Sequence, residues 1–254
     1  PLLSCFGKEI KTISPFVIYD SHEIYIETIN QFFPQKGWRS VYGFPLTWIN
    51  KVLHGFLEKK YVKNVDHVIT VGNYVAEHLK NVFRINQIHV LPNYPNDLME
   101  VKSSDVLRKE LSLKPNDKII LYQGSVNIGR GLEKMFEAIE LMPSNFHFVL
   151  LGDGPKYFDF KNIYRNSRIH FYGRVDFTEL TELTASADLG VVLIEPINLS
   201  KKYSLPNKIF EYLWAGIPFV TNKLPEVKCL VEELEVGFVI DDKSRYSCII
   251  FGYP

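Results

Sequence analysis

Ser204-Leu-Pro-Asn-Lys-Ile-Phe-Glu-Tyr-Leu-Trp-Ala-Gly-Ile-Pro218 carries the marks of a helix with defined ends. Ser204 stands where an N-cap accepts from a free backbone amide. Pro206 falls at the first or second helical position, where its missing N–H costs nothing. Gly216 offers a left-handed C-terminal residue, and Pro218 blocks resumption. Ile209, Phe210, Leu213 and Trp214 form one apolar stripe at the helical period, with Asn207, Lys208, Glu211 and Tyr212 on the opposite arc. The stretch alone is equally an ordinary surface helix with an i,i+3 charge pair. Its neighbours decide.

Outward from it, apolar runs alternate with helical patterns. Strands are expected at Lys118–Gln123, Phe146–Leu151, Arg168–Tyr172, Leu189–Ile194, Phe219–Thr221 and Gly237–Ile240. Between them fall helices at Leu132–Leu141, a stretch ending at Asn166, Thr178–Ala187, the quoted segment and Glu226–Glu233, with a loop from Glu195 to Tyr203. Continuous strand runs separated by helices predict a parallel sheet covered on both faces, in a doubly wound α/β fold. Upstream, Phe16–Tyr19 and His67–Val71 read as strands, Asn73–Asn81 as a helix and His89–Asn93 as a short strand. Val41–Asn64 reads as a core-packing helix bearing Trp48, Ile49, Val52, Leu53, Phe56, Leu57 and Tyr61. Its interleaved lysines (51, 59, 60 and 63) leave open a basic surface that touches anionic lipid. The polar, unperiodic Tyr94–Ser104 marks a domain boundary, giving domains at 1–98 and 99–254.

The 254 residues suit two domains, and 46% hydrophobic content supports a sizeable core. Lys+Arg and Asp+Glu balance at 29 each, which gives no electrostatic case for nucleic acid. Cys5, Cys229 and Cys248 lack metal-ligand spacing and read as reduced thiols of a cytoplasmic protein. No membrane span or signal peptide is legible. The first residue is proline, which suggests a fragment or processed chain.

The candidate sites follow strand ends. Gly124-Ser-Val-Asn-Ile-Gly-Arg-Gly131 connects a strand to a helix, where glycines let amides approach an anion and Arg130 supplies charge. It lacks the lysine and hydroxyl of a triphosphate loop and the dinucleotide glycine spacing, so a diphosphate cradle remains, beside the plainer reading of a glycine-rich connection. Gly152-Asp-Gly-Pro155 reads as an architectural turn; Gly173-Arg174 ends a third strand, where a nucleobase could lie. Asp20, His22 and Glu23 cluster at a strand end upstream, where ligands of open sheets sit, but the stretch alone favours a turn whose Asp and Ser bond their own backbone. No glycosidase carboxylate pair, nucleophile elbow or zinc cluster is present. Two helix N-termini, an arginine and the Glu211 carboxylate on one sheet edge would suit a sugar nucleotide.

With those residues assembled, the chain resembles the retaining glycosyltransferases of the GT-B fold, family 4, over roughly residues 15 to 242. The most specific run is Leu205–Pro218. Gln123-Gly124, Gly129-Arg-Gly-Leu-Glu133, Leu151–Pro155, Phe171–Arg174, Ala187–Val191, Pro92-Asn93 and Asp20–Glu23 also match. The resemblance implies an α/β architecture of two Rossmann-like domains with parallel sheets covered by helices, the first domain truncated and the second lacking its closing helix. It implies that Glu211 holds the ribose hydroxyls and that His22 reaches the transferred sugar. The implied catalytic set is His22, Arg130 and Glu211. The implied donor-binding set is Gly124, Ser125, Arg130, Gly173, Arg174, Tyr203, Ser204, Leu205, Pro206, Asn207, Lys208 and Glu211.

Two departures bear on chemistry. Tyr203 stands where the family often has a second glutamate, and Ser125 near its first phosphate cation, leaving Arg130 as one counter-charge. The expected function is transfer of a hexose-type unit from a nucleotide diphosphate sugar to a hydroxyl with retention, in polysaccharide or glycolipid synthesis. The donor is a substrate; no metal or other cofactor is expected. A glycan, lipid-linked or small-molecule acceptor, peripheral contact with the inner face of a membrane and no nucleic-acid partner complete the expectation. The alternative is a non-catalytic or truncated sugar-nucleotide-binding module. An epimerase would need more acid–base groups, and a dehydrogenase its glycine fingerprint.

Overall fold

The computed structural model describes residues 7–28, 39–94 and 103–240. The chain divides into two compact units: Pro1–Asn93 with Pro196–Leu205, and Tyr94–Glu195 with Pro206–Pro254. Cys5, Cys248, most of the boundary read at 94–104 and the closing stretch 241–254 lie outside the described residues.

The first unit opens with α1 (Gly7–Ile10) and centres on β1 (Ile18–Ser21), β2 (His67–Thr70) and β3 (Ile88–Val90), paired in parallel in that order. After β1 come the short α2 (Tyr25–Thr28) and the long α3 (Arg39–Tyr61); α4 (Asn73–Phe83) joins β2 to β3. Val75, Ala76, Leu79 and Phe83 of α4 pack with Tyr19, Ile24, Val62 and Val68 in one core.

The core-packing expectation for α3 is overturned. Trp48, Ile49, Val52, Leu53 and Phe56 are all exposed, and Lys59 and Lys60 continue the same face. The opposite face carries the polar contacts. Glu58 is buried and accepts from the Tyr19 hydroxyl at 2.6 Å, Lys51 pairs with Glu27 at 3.3 Å, and His54 meets the Tyr25 ring edge. Burial raises the Glu58 carboxyl, and burial with the adjacent carboxylate raises the Tyr19 phenol.

Residues 196–205, which take in most of the loop read at 195–203 and the first two residues of the quoted segment, group with the first unit rather than the second domain. They contain a one-turn helix, α9 (Leu199–Lys202), capped by Asn198, whose Oδ1 accepts from the Lys201 amide at 2.8 Å. Leu199 and Tyr203 pack on the first core, and Asn198 donates to the Glu27 carbonyl at 3.3 Å. Long-range apolar contact explains the grouping, and no local sequence signal announces it.

The second unit holds β4 (Lys118–Gln123), β5 (Phe146–Leu151), β6 (Ile169–Gly173), β7 (Leu189–Val192), β8 (Phe219–Asn222) and β9 (Phe238–Ile240). All pair in parallel in the order β6-β5-β4-β7-β8-β9. The connections carry α6 (Leu132–Leu141), α7 (Tyr157–Ile163), α8 (Phe177–Ala185), α10 (Asn207–Trp214) and α11 (Pro225–Leu234), with α5 (Val106–Glu110) ahead of β4. The strands fall where read within one or two residues and alternate with helices; the helical stretch read to Asn166 ends at Ile163. The core gathers β-strand residues such as Tyr122, Phe148 and Leu150 with Met135, Phe136 and Ile139 of α6.

That strand order matters most for function. The chain lays down β4, β5 and β6 outward in one direction, then returns beside β4 and builds β7, β8 and β9 in the other. The switch lies between β4 and β7, and ligands of such sheets bind outside the carboxyl ends at that crevice. The amino ends there are closed by Asp188, which accepts from the Ile119 amide at 2.8 Å, Lys118 at 2.9 Å and Arg108 at 3.1 Å.

A histidine pair near the amino ends of β5 and β6 predicts acid sensitivity. His147 Nδ1 and His170 Nε2 lie 3.1 Å apart, and Asp117 is 3.6 Å from His147 Nε2. Burial lowers both imidazoles. Asp117 partly opposes this for His147, while Arg168 reinforces it; His147 reinforces it for His170. A histidine lowered on folding leaves the unfolded chain with more bound protons below its ordinary range, so stability rises with pH there. The contribution is complete above about pH 6.5 and is lost as pH falls below it through the folded-state values. The urea midpoint of the wild type should therefore fall between pH 7.5 and about pH 5, less steeply in His170→Gln; parallel pH dependences would contradict this.

Candidate functional site

The site is built on the last residues of β4. Tyr122 is buried and donates its hydroxyl to the Ser125 carbonyl at 2.7 Å, which closes the start of the loop 124–131. Gly124 has φ +119°, a conformation side-chain-bearing residues rarely adopt. A second tight turn supports the loop from behind: the Val126 amide donates to the Asp153 carbonyl at 2.8 Å and the Lys156 amide to the Val126 carbonyl at 3.1 Å. Gly152 and Gly154 allow that approach, because a Cβ at Gly152 would lie 2.0 Å from the Gly124 carbonyl oxygen. The architectural reading of Gly152–Pro155 thus has a physical basis.

Helix α10 supplies the other side. Its N-cap is Pro206, not Ser204, whose hydroxyl donates to the Lys201 carbonyl at 2.8 Å as part of the preceding turn. Gly216 takes the expected left-handed conformation, φ +70°. Ile209 and Phe210 are buried as read, Leu213 and Trp214 are half-buried, and Tyr212, assigned to the polar arc, is fully buried. The reason lies on β7. Gly190 leaves the space that Tyr212 fills; a Cβ there would come within 2.5 Å of the ring. Its phenol is satisfied by backbone: it accepts from the Gln123 amide at 3.3 Å and lies 3.2 and 3.3 Å from the Leu121 and Val191 carbonyls. Tyr212 thereby fastens α10 across the β4–β7 switch.

This anchoring places two charged side chains. Glu211 Oε2 accepts a short hydrogen bond from Gln123 Nε2, and Gln123 Oε1 accepts from the Thr184 hydroxyl at 2.8 Å. Gln123 is itself 2% exposed, so one carboxylate oxygen is held by a buried amide that Thr184 bonds in turn. Lys208 lies over the Tyr122 ring, Nζ to centroid 3.8 Å, next to Gly124. Burial brings its ammonium down to about 7; Arg130 pushes the same way and Glu211 opposes. Arg130, half-buried in the loop, makes no salt bridge among the described residues. Glu195 follows β7, its amide donating to the Gly129 carbonyl at 3.0 Å.

Gly124, Ser125, Arg130, Pro206, Asn207, Lys208 and Glu211 therefore belong to the second unit, around one switch point. Gly173 (φ +96°) and exposed Arg174 follow edge strand β6, two strands from β4; the Gly173 carbonyl accepts from the Gly152 amide at 2.7 Å. Tyr203, Ser204 and Leu205 fall with the first unit, and the Tyr203 ring stacks on Tyr74 with centroids 5.7 Å apart. His22 also belongs to the first unit, exposed, with Nε2 2.9 Å from Asp20 Oδ2. Sequence reasoning missed Gln123 and Tyr212 as site-building residues. The available signals for Gln123 were its polar side chain at the end of a largely apolar strand and its place in the matching Gln123-Gly124 run.

A glycine-rich loop at the switch of a doubly wound sheet is thus faced by a helix bearing a tethered carboxylate. The family model described as "Glycosyl transferases group 1" matches residues 117–248, and the chain belongs to that family. Sulfoquinovosyl transferase SQD2 of Arabidopsis thaliana is 22% identical over 139 residues, 54% of this chain and 26% of that protein. The Anabaena HepE structure in complex with UDP-glucose gives a TM-score of 0.68 at 18% identity, over 98% of this chain and 65% of that one. Sucrose-phosphate synthase of Thermosynechococcus elongatus gives 0.67 at 18%, over 97% and 60%. The chain thus spans less than two thirds of each, and the structural likenesses establish the GT-B architecture.

Proposed function

We propose that the protein is a glycosyltransferase that takes a sugar from a nucleotide diphosphate sugar and delivers it to a hydroxyl with retention at the anomeric carbon. The observation that carries this reading is the convergence of Arg130, Lys208 and the Gln123-tethered Glu211 at the β4–β7 switch. HepE, described with bound UDP and UDP-glucose, supports a sugar nucleotide as the ligand class. Arg130 and the N-termini of α6 and α10 meet the diphosphate, Glu211 the ribose hydroxyls, and Gly173-Arg174 the base. His22 contacts the transferred sugar.

In the proposed step the bond from the anomeric carbon to the phosphate oxygen breaks as the acceptor oxygen bonds to that carbon on the same face. The acceptor proton passes to the departing phosphate. Charge grows on the diphosphate in this transition state, so donors already oriented towards it lower the barrier. Arg130 does this without a divalent ion, and turnover should survive EDTA. A thermal-shift panel of uridine, guanosine and adenosine diphosphates, with and without their sugars, identifies the base because a bound ligand raises apparent stability. No shift with any of them contradicts the donor site.

One observation favours a second reading, a module that binds the donor without turnover. The position where related enzymes often carry a second glutamate is Tyr203, and its ring packs against the first core. Binding of a radiolabelled sugar nucleotide without its hydrolysis or transfer would favour this reading.

The exposed face of α3 supports the membrane contact and the glycolipid acceptor. No helix among the described residues is long and apolar enough to cross a membrane. Apolar side chains from Trp48 to Phe56 followed by Lys59, Lys60 and Lys63 suit the interface of an anionic bilayer. The protein should float with phosphatidylglycerol-containing vesicles, and less with phosphatidylcholine alone or after Lys59→Glu with Lys60→Glu. Equal recovery without lipid would remove this part of the reading.

A further inference from the structure

Lys208 has a setting that a surface-helix lysine would not adopt. Its stem and amine are drawn inward over the Tyr122 ring, and Nζ would lie 3.4 Å from a Cβ on Gly124, the first residue of the phosphate-suited turn. No carboxylate forms a salt bridge with it among the described residues. Glu211 sits on the same helix, but one of its oxygens is taken by Gln123. The groups facing the amine are Tyr122 from β4, Arg130 from the following loop and Glu211 from α10 itself. A ring face compensates a desolvated ammonium only partly. A second cation beside Arg130 adds repulsion until an anion arrives between them. That arrangement costs the free protein and favours the complex.

We propose that Lys208 is the second cation of the diphosphate site, its ammonium moving from the Tyr122 ring to a phosphate oxygen when the donor binds. It supplies from helix α10 the charge that Ser125 does not supply from the loop. This inference rests on the donor-site reading above and adds to it a specific, titrating counter-charge. Burial and Arg130 bring the free amine to about 7. A diphosphate beside it raises that value, so binding near and above neutrality takes up a proton. The sign follows: donor affinity falls as pH rises above 7, by up to about ten-fold per unit, until the bound amine also loses its proton. A nucleotide diphosphate sugar has no phosphate group titrating in that range, so the dependence belongs to the protein.

The test is calorimetric titration of the chain with UDP-glucose, GDP-glucose and ADP-glucose at pH 8, in HEPES and in Tris. Their different ionisation enthalpies reveal proton uptake. The expected result is binding of one donor with uptake approaching one proton. Lys208→Arg should bind with the uptake abolished. Lys208→Met should lose about ten-fold in affinity and most of the pH dependence. Thermal unfolding of the variants checks that they are folded; Lys208→Arg keeps the test decisive if the Met variant is not. Binding with equal heats in both buffers and unchanged affinity in Lys208→Met overturns this inference alone. Absence of binding by all three donors overturns the donor site beneath it.

Discussion

Glu211→Ala is expected to weaken donor binding by about ten-fold or more, as loss of a charged hydrogen bond costs roughly 1.5–3 kcal/mol. The effect should separate by ligand part. Titrations with the nucleoside and the nucleoside diphosphate should weaken together, because both carry the ribose hydroxyls. Inorganic diphosphate should lose far less, because Arg130 and Lys208 are both retained. The variant also strips Gln123 Nε2 of its acceptor in a buried position. A stability loss of about 1–3 kcal/mol should accompany the change in affinity. Glu211→Gln, which retains an acceptor oxygen for Gln123, should recover most of that stability while recovering less donor affinity. Undiminished nucleoside binding in Glu211→Ala would remove Glu211 from the ribose site.

Gly152→Ala should be the most damaging single methyl in the second unit. The added Cβ would sit 2.0 Å from the Gly124 carbonyl oxygen and 2.9 Å from its carbon, both backbone atoms unable to rotate away. The residue also has φ +136°, which is strained for any L side chain. Relief requires the loop after β4 to part from the turn after β5, at the expense of the Gly124 amide bond to Leu151 (2.9 Å) and the Val126 amide bond to Asp153 (2.8 Å). The expected loss is about 3 kcal/mol or more, a fall of roughly 10 °C in the thermal midpoint, with donor binding impaired besides. Gly216→Ala is the control. Its φ is +70°, but a Cβ there meets nothing within 4 Å. It should lose about 1–2 kcal/mol, the left-handed penalty alone. Equal losses in the two variants would show that backbone approach at Gly152 contributes little.

The contrast between those glycines also shows what was legible in the sequence. Gly216 ends its helix as local punctuation predicts, and the strand and helix runs of the second unit fall close to their expected places, because each reflects local period and capping. Tyr212 was misassigned because its burial depends on Gly190, more than twenty residues away on another strand. Ser204 resembled a cap in sequence, yet the chain makes a separate turn at Lys201 and begins α10 after Pro206. The α3 face was misread because apolar spacing specifies an amphipathic face without saying what covers it. Strand order needs knowledge of the crossovers, so the switch point emerged only with the sheet. The gathering of Arg130, Lys208 and Glu211 follows from that order, while the roles read for Gly173, Arg174 and His22 rest on resemblance.

The most direct test of the account follows amide hydrogen exchange across the chain with UDP-glucose, GDP-glucose or ADP-glucose present at saturating concentration. The account predicts that one donor slows exchange in peptides spanning residues 122–132 and 205–213, and that Arg130→Ala removes this protection. Protection confined to other segments, or none with any donor, would contradict a sugar-nucleotide site at the β4–β7 switch.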